Sequence, residues 1–158
     1  SYRQITRLAP PEKKRIRLAD LFATVLRLAR AECPRDDIEF SVEVDPSELD
    51  VYADRVLLEP VLINLLRNAW QATESIDKPV VRLRGHLNRR HNVVVEVADN
   101  GPGIPADIAT KIFVPFFTTR EKGSGVGLAL ARQVMIAHGG FIRVNTNDGG
   151  GTGFSLTF

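Results

Sequence analysis

Val97-Ala98-Asp99-Asn100-Gly101-Pro102-Gly103-Ile104-Pro105 ends one pattern and begins another. Upstream of it, Val93, Val95 and Val97 alternate with Asn92, Val94 and Glu96, the period of two expected of a strand with one face toward a core. Extending that period puts Asp99 on the valine face. A carboxylate aimed at the core side of a sheet is costly to bury unless a donor meets it, so either the protein or a ligand must supply one. Gly101 and Gly103 then permit a sharp turn and let bare backbone approach whatever lies beside the carboxylate. An acceptor next to bare backbone suits the amino edge of a flat heterocycle. An Asp-Asn-Gly sequence after a strand also serves as a plain turn, and on this stretch alone both readings stand.

The rest of the chain bounds the answer. At 158 residues, 44% hydrophobic and 25% charged, it is long enough for one well-buried core and too short for two. A formal net charge of +2 demands neither a nucleic acid nor an anionic membrane as partner. The single cysteine, Cys33, excludes an internal disulfide framework and fits a reducing compartment. No apolar run reaches transmembrane length, and no signal-peptide pattern opens the chain. The first residue is Ser1, so an excised piece of a longer, membrane-crossing protein is left open.

Residues 1–17 are basic and broken by Pro10 and Pro11, which reads as the tail of a preceding helical element plus a linker, with the domain proper in residues 18–158. Asp20 suits the N-cap of a helix carrying Leu21, Val25, Leu28 and Ala29 and ending before Pro34. Residues 38–45 alternate as a strand closed by Pro46. A long helix over about residues 54–75 presents Leu58, Val61, Leu62, Leu65, Ala69 and Ala72 on one face, with a kink or a later start expected at Pro60. Asn64, Asn68 and Gln71 form a separate stripe along the edge of that face, because spacings of four and three stack side chains. A solvated helix margin is the plain reading; with Leu65 and Leu66 between them, half-buried amides that need partners are the other.

Residues 80–87 and 92–99 read as a hairpin. Its Arg82 and Arg84 alternate with Val81 and Leu83, and no aromatic residue is interleaved to stack bases, so a solvated sheet face is expected and no nucleic acid. His86 and His91 have no acidic or cysteine companions at ligand spacing and read as surface residues. Residues 101–127 are irregular. Within them Ile108, Ile112, Phe113, Phe116 and Phe117 describe either a loop pinned to the core by phenylalanines or a mobile lid whose aromatics dock elsewhere. Gly123, Gly125 and Gly127 open a helix over about residues 125–137, where free N–H groups and a positive dipole favour an anion, although glycines so spaced also mark tight turns. Residues 141–145 and 152–158 read as closing strands.

In order and spacing, these pieces resemble the ATP-binding domain of sensor histidine kinases, within the superfamily that includes gyrase and heat-shock chaperone ATPases. The resemblance runs from about residue 18 onward through five motifs: Asn64-Leu-Leu-Arg-Asn68-Ala, Asp99-Asn-Gly101-Pro-Gly103, Phe113-Val-Pro-Phe-Phe117, Gly123-Ser-Gly-Val-Gly127 and Gly151-Thr-Gly153. The wording Leu-Leu-Arg-Asn-Ala-Trp-Gln-Ala and Pro-Phe-Phe-Thr-Thr-Arg is most similar to the nitrogen-regulatory and dicarboxylate-sensing kinases. The fold it implies is an α+β two-layer sandwich, a mixed, mostly antiparallel sheet of about five strands on about three helices, with an ATP lid. The cofactors it implies are ATP and Mg2+.

Carried over residue by residue, the resemblance gives Asp99 the adenine amino group and lets Gly103 admit the ring. Asn68 offers its amide oxygen to magnesium, and Asn64 sits against phosphate or metal-bound water in the catalytic role. Gln71, Gly101, Ile104, Thr119, Gly123, Ser124, Gly125, Val126, Gly127, Leu128 and Thr152 complete the nucleotide site. Where hydrolytic relatives carry a glutamate that activates water, this chain has Asn64, a poor general base, which favours phosphoryl transfer to a positioned side chain. Gln71 departs from the lysine or arginine of many members, and Arg120 is the candidate to compensate. None of His86, His91 and His138 has the setting of an acceptor histidine; His138, in Ala-His-Gly-Gly, reads as a cap or packing residue. The implied partners are a dimerisation and histidine phosphotransfer domain of the same parent and a response regulator receiver domain, the fragment itself being monomeric and cytoplasmic. A related ATPase or serine kinase of the superfamily, or an interaction module that no longer binds nucleotide, are the competing readings.

Overall fold

The computed structural model describes residues 9–114, 127–146 and 150–158. Among the described residues, seven strands and four helices follow in the order β1 Lys14–Arg17, α1 Leu18–Glu32, β2 Glu39–Asp45, β3 Asp50–Ala53, α2 Arg55–Ala72, β4 Val80–Leu87, β5 Val93–Asp99, α3 Ala106–Ala109, α4 Gly127–Ala137, β6 Phe141–Thr146 and β7 Thr152–Thr157. Five strands make one sheet in the order β2-β4-β5-β7-β6, with β2 parallel to β4 and the other pairings antiparallel. The expected mixed sheet is therefore present. A separate two-stranded sheet, β1 against β3, was not expected.

Alternation along the strands sets the sides. Val81, Leu83, Val95, Val97, Phe154 and Leu156 are buried, and the helices cover that face. Arg82 and Arg84 point away from it and are exposed, as the hairpin reading requires. From α2, Leu58, Leu62, Leu65 and Leu66 are fully buried against the sheet, each stabilising the fold by about 2 kcal/mol of apolar burial.

Three local expectations are corrected. The last four residues of the supposed linker are a strand, because Ile16 inserts into the core opposite Val51 while Lys14, Arg15 and Arg17 stay outside. One inward residue in four gives no readable period. Helix α1 starts two residues before Asp20, after Arg17, whose side chain makes no cap; Asp20 lies in the first turn, where its charge complements the dipole. Leu28 is exposed, and Leu26 takes the core position instead.

Helix α2 runs unbroken through Pro60, with Asp54 as N-cap accepting from the Val56 N–H at 3.1 Å. The carbonyl that Pro60 leaves without a partner belongs to Val56, 81% exposed, where water can take it. The helix ends at Ala72, three residues earlier than expected. Thr73 Oγ1 donates to the Trp70 carbonyl at 2.8 Å, and the Arg35 guanidinium gathers the carbonyls of Thr73, Glu74 and Ile76. Asp37 holds Arg35 in place through two hydrogen bonds, which keep the Asp37 carboxyl below its ordinary range.

Candidate nucleotide-binding site

The site is assembled along α2. Asn64, Asn68 and Gln71 are half-buried on its edge, so the stripe is a border between core and cleft. At its C-terminal end, β5 delivers Asp99. The carboxylate is half-buried, less enclosed than its place on the valine face predicts, because it is the last residue of its strand and α2 stops at Ala72 beside it. Asp99 Oδ1 accepts from the Gly101 N–H at 2.8 Å. Gly101 is buried, and a Cβ there would stand 2.5 Å from the Ala72 carbonyl oxygen and 2.9 Å from Asp99 Oδ1; only glycine fits between the helix end and the carboxylate.

The loop after Asp99 is held from several directions. The Asn100 side chain accepts from the Val80 N–H and donates to the Lys78 carbonyl, both at 2.8 Å, which ties the turn to the start of β4. Gly103 has φ of 85°, a conformation that favours glycine. The Ile104 N–H donates to Thr146 Oγ1 at 2.6 Å. Thr152, buried, pairs across from Asp99 in the sheet, and a Cβ on Gly151 would run into the Asp99 carbonyl oxygen. The described side of the candidate base pocket is thus tightly built from glycine, threonine and asparagine.

At the other end of the stripe, Gly127, the first described residue of α4, lies directly against Asn64. A Cβ on Gly127 would lie 2.7 Å from both Cγ and Oδ1 of Asn64. Arg67 Nη1 reaches Asn64 Oδ1 at 3.5 Å, and Arg67 is itself clamped by Glu32 through contacts of 2.7 to 2.9 Å, so the C-terminal turn of α1 helps to set the amide's surroundings. Leu128 packs on the core. Thr119, Arg120, Gly123, Ser124, Gly125 and Val126 lie outside the described residues, as do Phe116 and Phe117. Of the aromatic segment, Ile112 is buried and Phe113 meets the Phe154 ring edge-on at 6.3 Å, so this part is pinned to the core.

His138 is buried, with Nδ1 against the Val134 carbonyl at 2.7 Å and Nε2 accepting from the Asp54 N–H at 3.0 Å. It joins the end of α4 to the start of α2 and has the expected packing role. His91 is exposed and His86 half-buried; among the described residues no group of three or more His, Cys, Asp and Glu side chains could hold a metal. Sequence reasoning missed Thr146, Asn100 and the Glu32–Arg67 clamp. Asn100 had a signal, since an Asn at a turn readily ties its neighbours, whereas Thr146 and Ile104 are 42 residues apart with nothing local to link them.

Residues 53–158 match the family described as histidine kinase-, DNA gyrase B-, and HSP90-like ATPase. Sensor protein FixL of Bradyrhizobium diazoefficiens is 33% identical over 146 residues, which cover 92% of this chain and 29% of that protein. Sensory histidine kinase/phosphatase NtrB of Rhodobacter capsulatus is 34% identical over 158 residues, covering 92% of this chain and 44% of its own length. The chain thus spans less than half of either relative. The nucleotide-free catalytic domain of histidine kinase ThkA superposes with a TM-score of 0.81 at 33% identity, covering 93% of this chain and 95% of that one. With Asn64 and Asn68 on α2, the Asp99 turn at the end of β5 and Gly127 of α4 in a fold shared with ThkA, the chain belongs to the histidine kinase-, DNA gyrase B-, and HSP90-like ATPase family, as a catalytic domain of the histidine kinase type.

Proposed function

We propose that this domain binds Mg-ATP and donates the γ-phosphoryl group to a histidine on a separate dimerisation domain of its parent protein. The observation that carries the proposal is the spacing along α2. Gly101 and Asp99 abut it at Ala72, and Gly127 abuts it at Asn64, eight residues or about 12 Å away along the axis. A base held at the Asp99 end leaves its phosphates at the Gly127 end, with Asn64 and Asn68 alongside. In this reading Asp99, Gly101, Gly103, Ile104 and Thr152 take the adenine, and Gln71, Thr119, Leu128 and the run Gly123, Ser124, Gly125, Val126 and Gly127 take the ribose and phosphates.

The donor set suits magnesium. Mg2+ prefers oxygen, keeps several waters and is bound mostly through substrate phosphates, so one amide oxygen from Asn68 is a sufficient protein contribution. When bound, the ion would neutralise charge that builds on the phosphate oxygens. A neutral imidazole attacks phosphorus through a nitrogen lone pair; the bond from γ-phosphorus to the bridging oxygen breaks, and ADP leaves with that electron pair. The attack needs no base to create the nucleophile, and an asparagine at position 64 is compatible with it. Water would need such a base, which is the argument against an ATPase as the main activity.

None of His86, His91 and His138 has the sequence setting of an acceptor histidine, so the isolated chain is expected to bind Mg-ATP, raising its melting temperature, while hydrolysing it slowly. Mixing it with a dimerisation fragment that carries the acceptor histidine should produce phosphohistidine. Rapid hydrolysis by the chain alone would instead favour a hydrolytic member of the family. Arg120 is proposed to supply the positive charge that Gln71 lacks; Arg120→Ala should weaken ATP binding about tenfold, the loss of one charge-assisted contact of about 1.5 kcal/mol, and unchanged affinity and transfer would remove that role. We further propose that a response regulator accepts the phosphoryl group next, and that the domain works in the cytoplasm, where ATP is available. Among the described residues no helix is long and apolar enough to cross a membrane.

A further inference from the structure

Residues 101–105 can be anchored through few backbone donors, because Pro102 and Pro105 have none. Gly101 N–H goes to Asp99 Oδ1, and Ile104 N–H goes to Thr146 Oγ1 at 2.6 Å. Thr146 is the last residue of β6 and pairs in register with Thr152, which pairs in register with Asp99. Asp99, Thr152 and Thr146 therefore stand in one row across three strands, on the face that carries Val97 and Phe154.

The Thr146 hydroxyl has one proton to give. Its oxygen accepts from Ile104, and the Ile104 carbonyl, the Gly151 carbonyl and Thr152 Oγ1 lie 3.3 to 3.4 Å away as possible partners for that proton. One hydroxyl thus ties the glycine loop to the β6–β7 hairpin beside the carboxylate.

We propose that Thr146 is a positioning residue for nucleotide binding: its hydroxyl holds the Ile104 backbone and so sets where the Gly101 to Ile104 loop stands relative to Asp99 and Thr152. The inference rests on the reading of this pocket as the adenine site. Gly101, wedged against Ala72, fixes one end of the loop, and Thr146 fixes the other. Without the hydroxyl, the backbone beyond the left-handed Gly103 keeps only the packing of the Ile104 side chain on the core and loses its hydrogen bond, so the pocket must be organised at the expense of binding energy.

The test compares Thr146→Val, which keeps the shape and removes the hydroxyl, with Thr146→Ser, which keeps the hydroxyl. ADP affinity measured by calorimetry should fall about tenfold in Thr146→Val and stay within about twofold of the parent in Thr146→Ser, since the valine removes the hydrogen bond and leaves the Ile104 N–H unmet while the serine keeps it. A residue that only supports the fold would lower the melting temperature of both states without a loss of affinity that serine restores. Equal ADP affinity in Thr146→Val, or an equal loss in both variants, overturns the proposal. Amide exchange in the unaltered chain gives a second measurement that no folding defect can obscure. The Ile104 N–H should be protected without nucleotide, and exchange at the rate of an open peptide overturns the tether. If the unaltered chain binds no ADP while Ile104 is protected, the tether exists and the adenine reading is what has failed.

Discussion

Asp99→Asn is expected to lower affinity for Mg-ATP by about 100-fold or more while leaving the nucleotide-free fold intact. The asparagine retains an oxygen that can accept from the Gly101 N–H, now 2.8 Å from Asp99 Oδ1, so the turn keeps its closing bond. What changes is the second atom of the side-chain fork, from an acceptor with charge to an NH2 donor. An adenine amino group would then meet a donor. Losing a charge-assisted bond of about 1.5–3 kcal/mol and leaving a polar group unmet for about 1–3 more sums to roughly 3 kcal/mol or above, two decades in affinity. Calorimetric titration with ATP and magnesium gives the affinity, and the melting temperature of the free protein should move by no more than about 2–4 °C. Undiminished binding would leave the plain-turn reading of this stretch standing.

Gly127→Ala should slow phosphotransfer. Its Cβ would stand 2.7 Å from Asn64 Cγ and Oδ1, closer than side-chain carbons come to their neighbours, so the Asn64 amide must swing away. The substitution lies at the first described residue of α4 and leaves Ala131, Val134 and Met135 in the core. If Asn64 stands beside the reacting phosphate as proposed, displacing it by about 1 Å can reduce the rate about 100-fold. Phosphotransfer to the acceptor domain, measured at saturating ATP so that any loss of phosphate binding does not enter, should therefore fall by about that factor. Transfer at the parental rate would mean that the orientation of Asn64 does not matter to the reaction.

Legibility followed the range of the interaction. The hairpin of β4 and β5 was readable because Val81, Leu83, Val95 and Val97 alternate over many residues. The amide stripe was readable because spacings of four and three have one meaning on a helix. The strand β1 was not, since its one inward side chain, Ile16, sits among Lys14, Arg15 and Arg17, and its partner β3 is more than 30 residues away. Leu28 fitted the helical period as well as Leu26 did, and only the packing of α1 on α2 and the sheet decided which one is covered. Asp99 was assigned correctly to the inner face, but how far it is enclosed depends on where α2 stops, which Thr73 and Arg35 decide.

By itself, then, the sequence determined the period of each main element, the side on which Asp99, Asn64 and Asn68 fall, and the order of the motifs, because these depend on repeats of two and 3.6 residues within one segment. Tertiary structure decided what those residues touch. Gly127 meets Asn64, Gly101 meets Ala72, and Thr146 holds Ile104, and each contact joins segments whose approach is set by the packing of α2 and α4 on the sheet. Such contacts depend on distance in space between residues remote in the chain, and no local pattern records that distance.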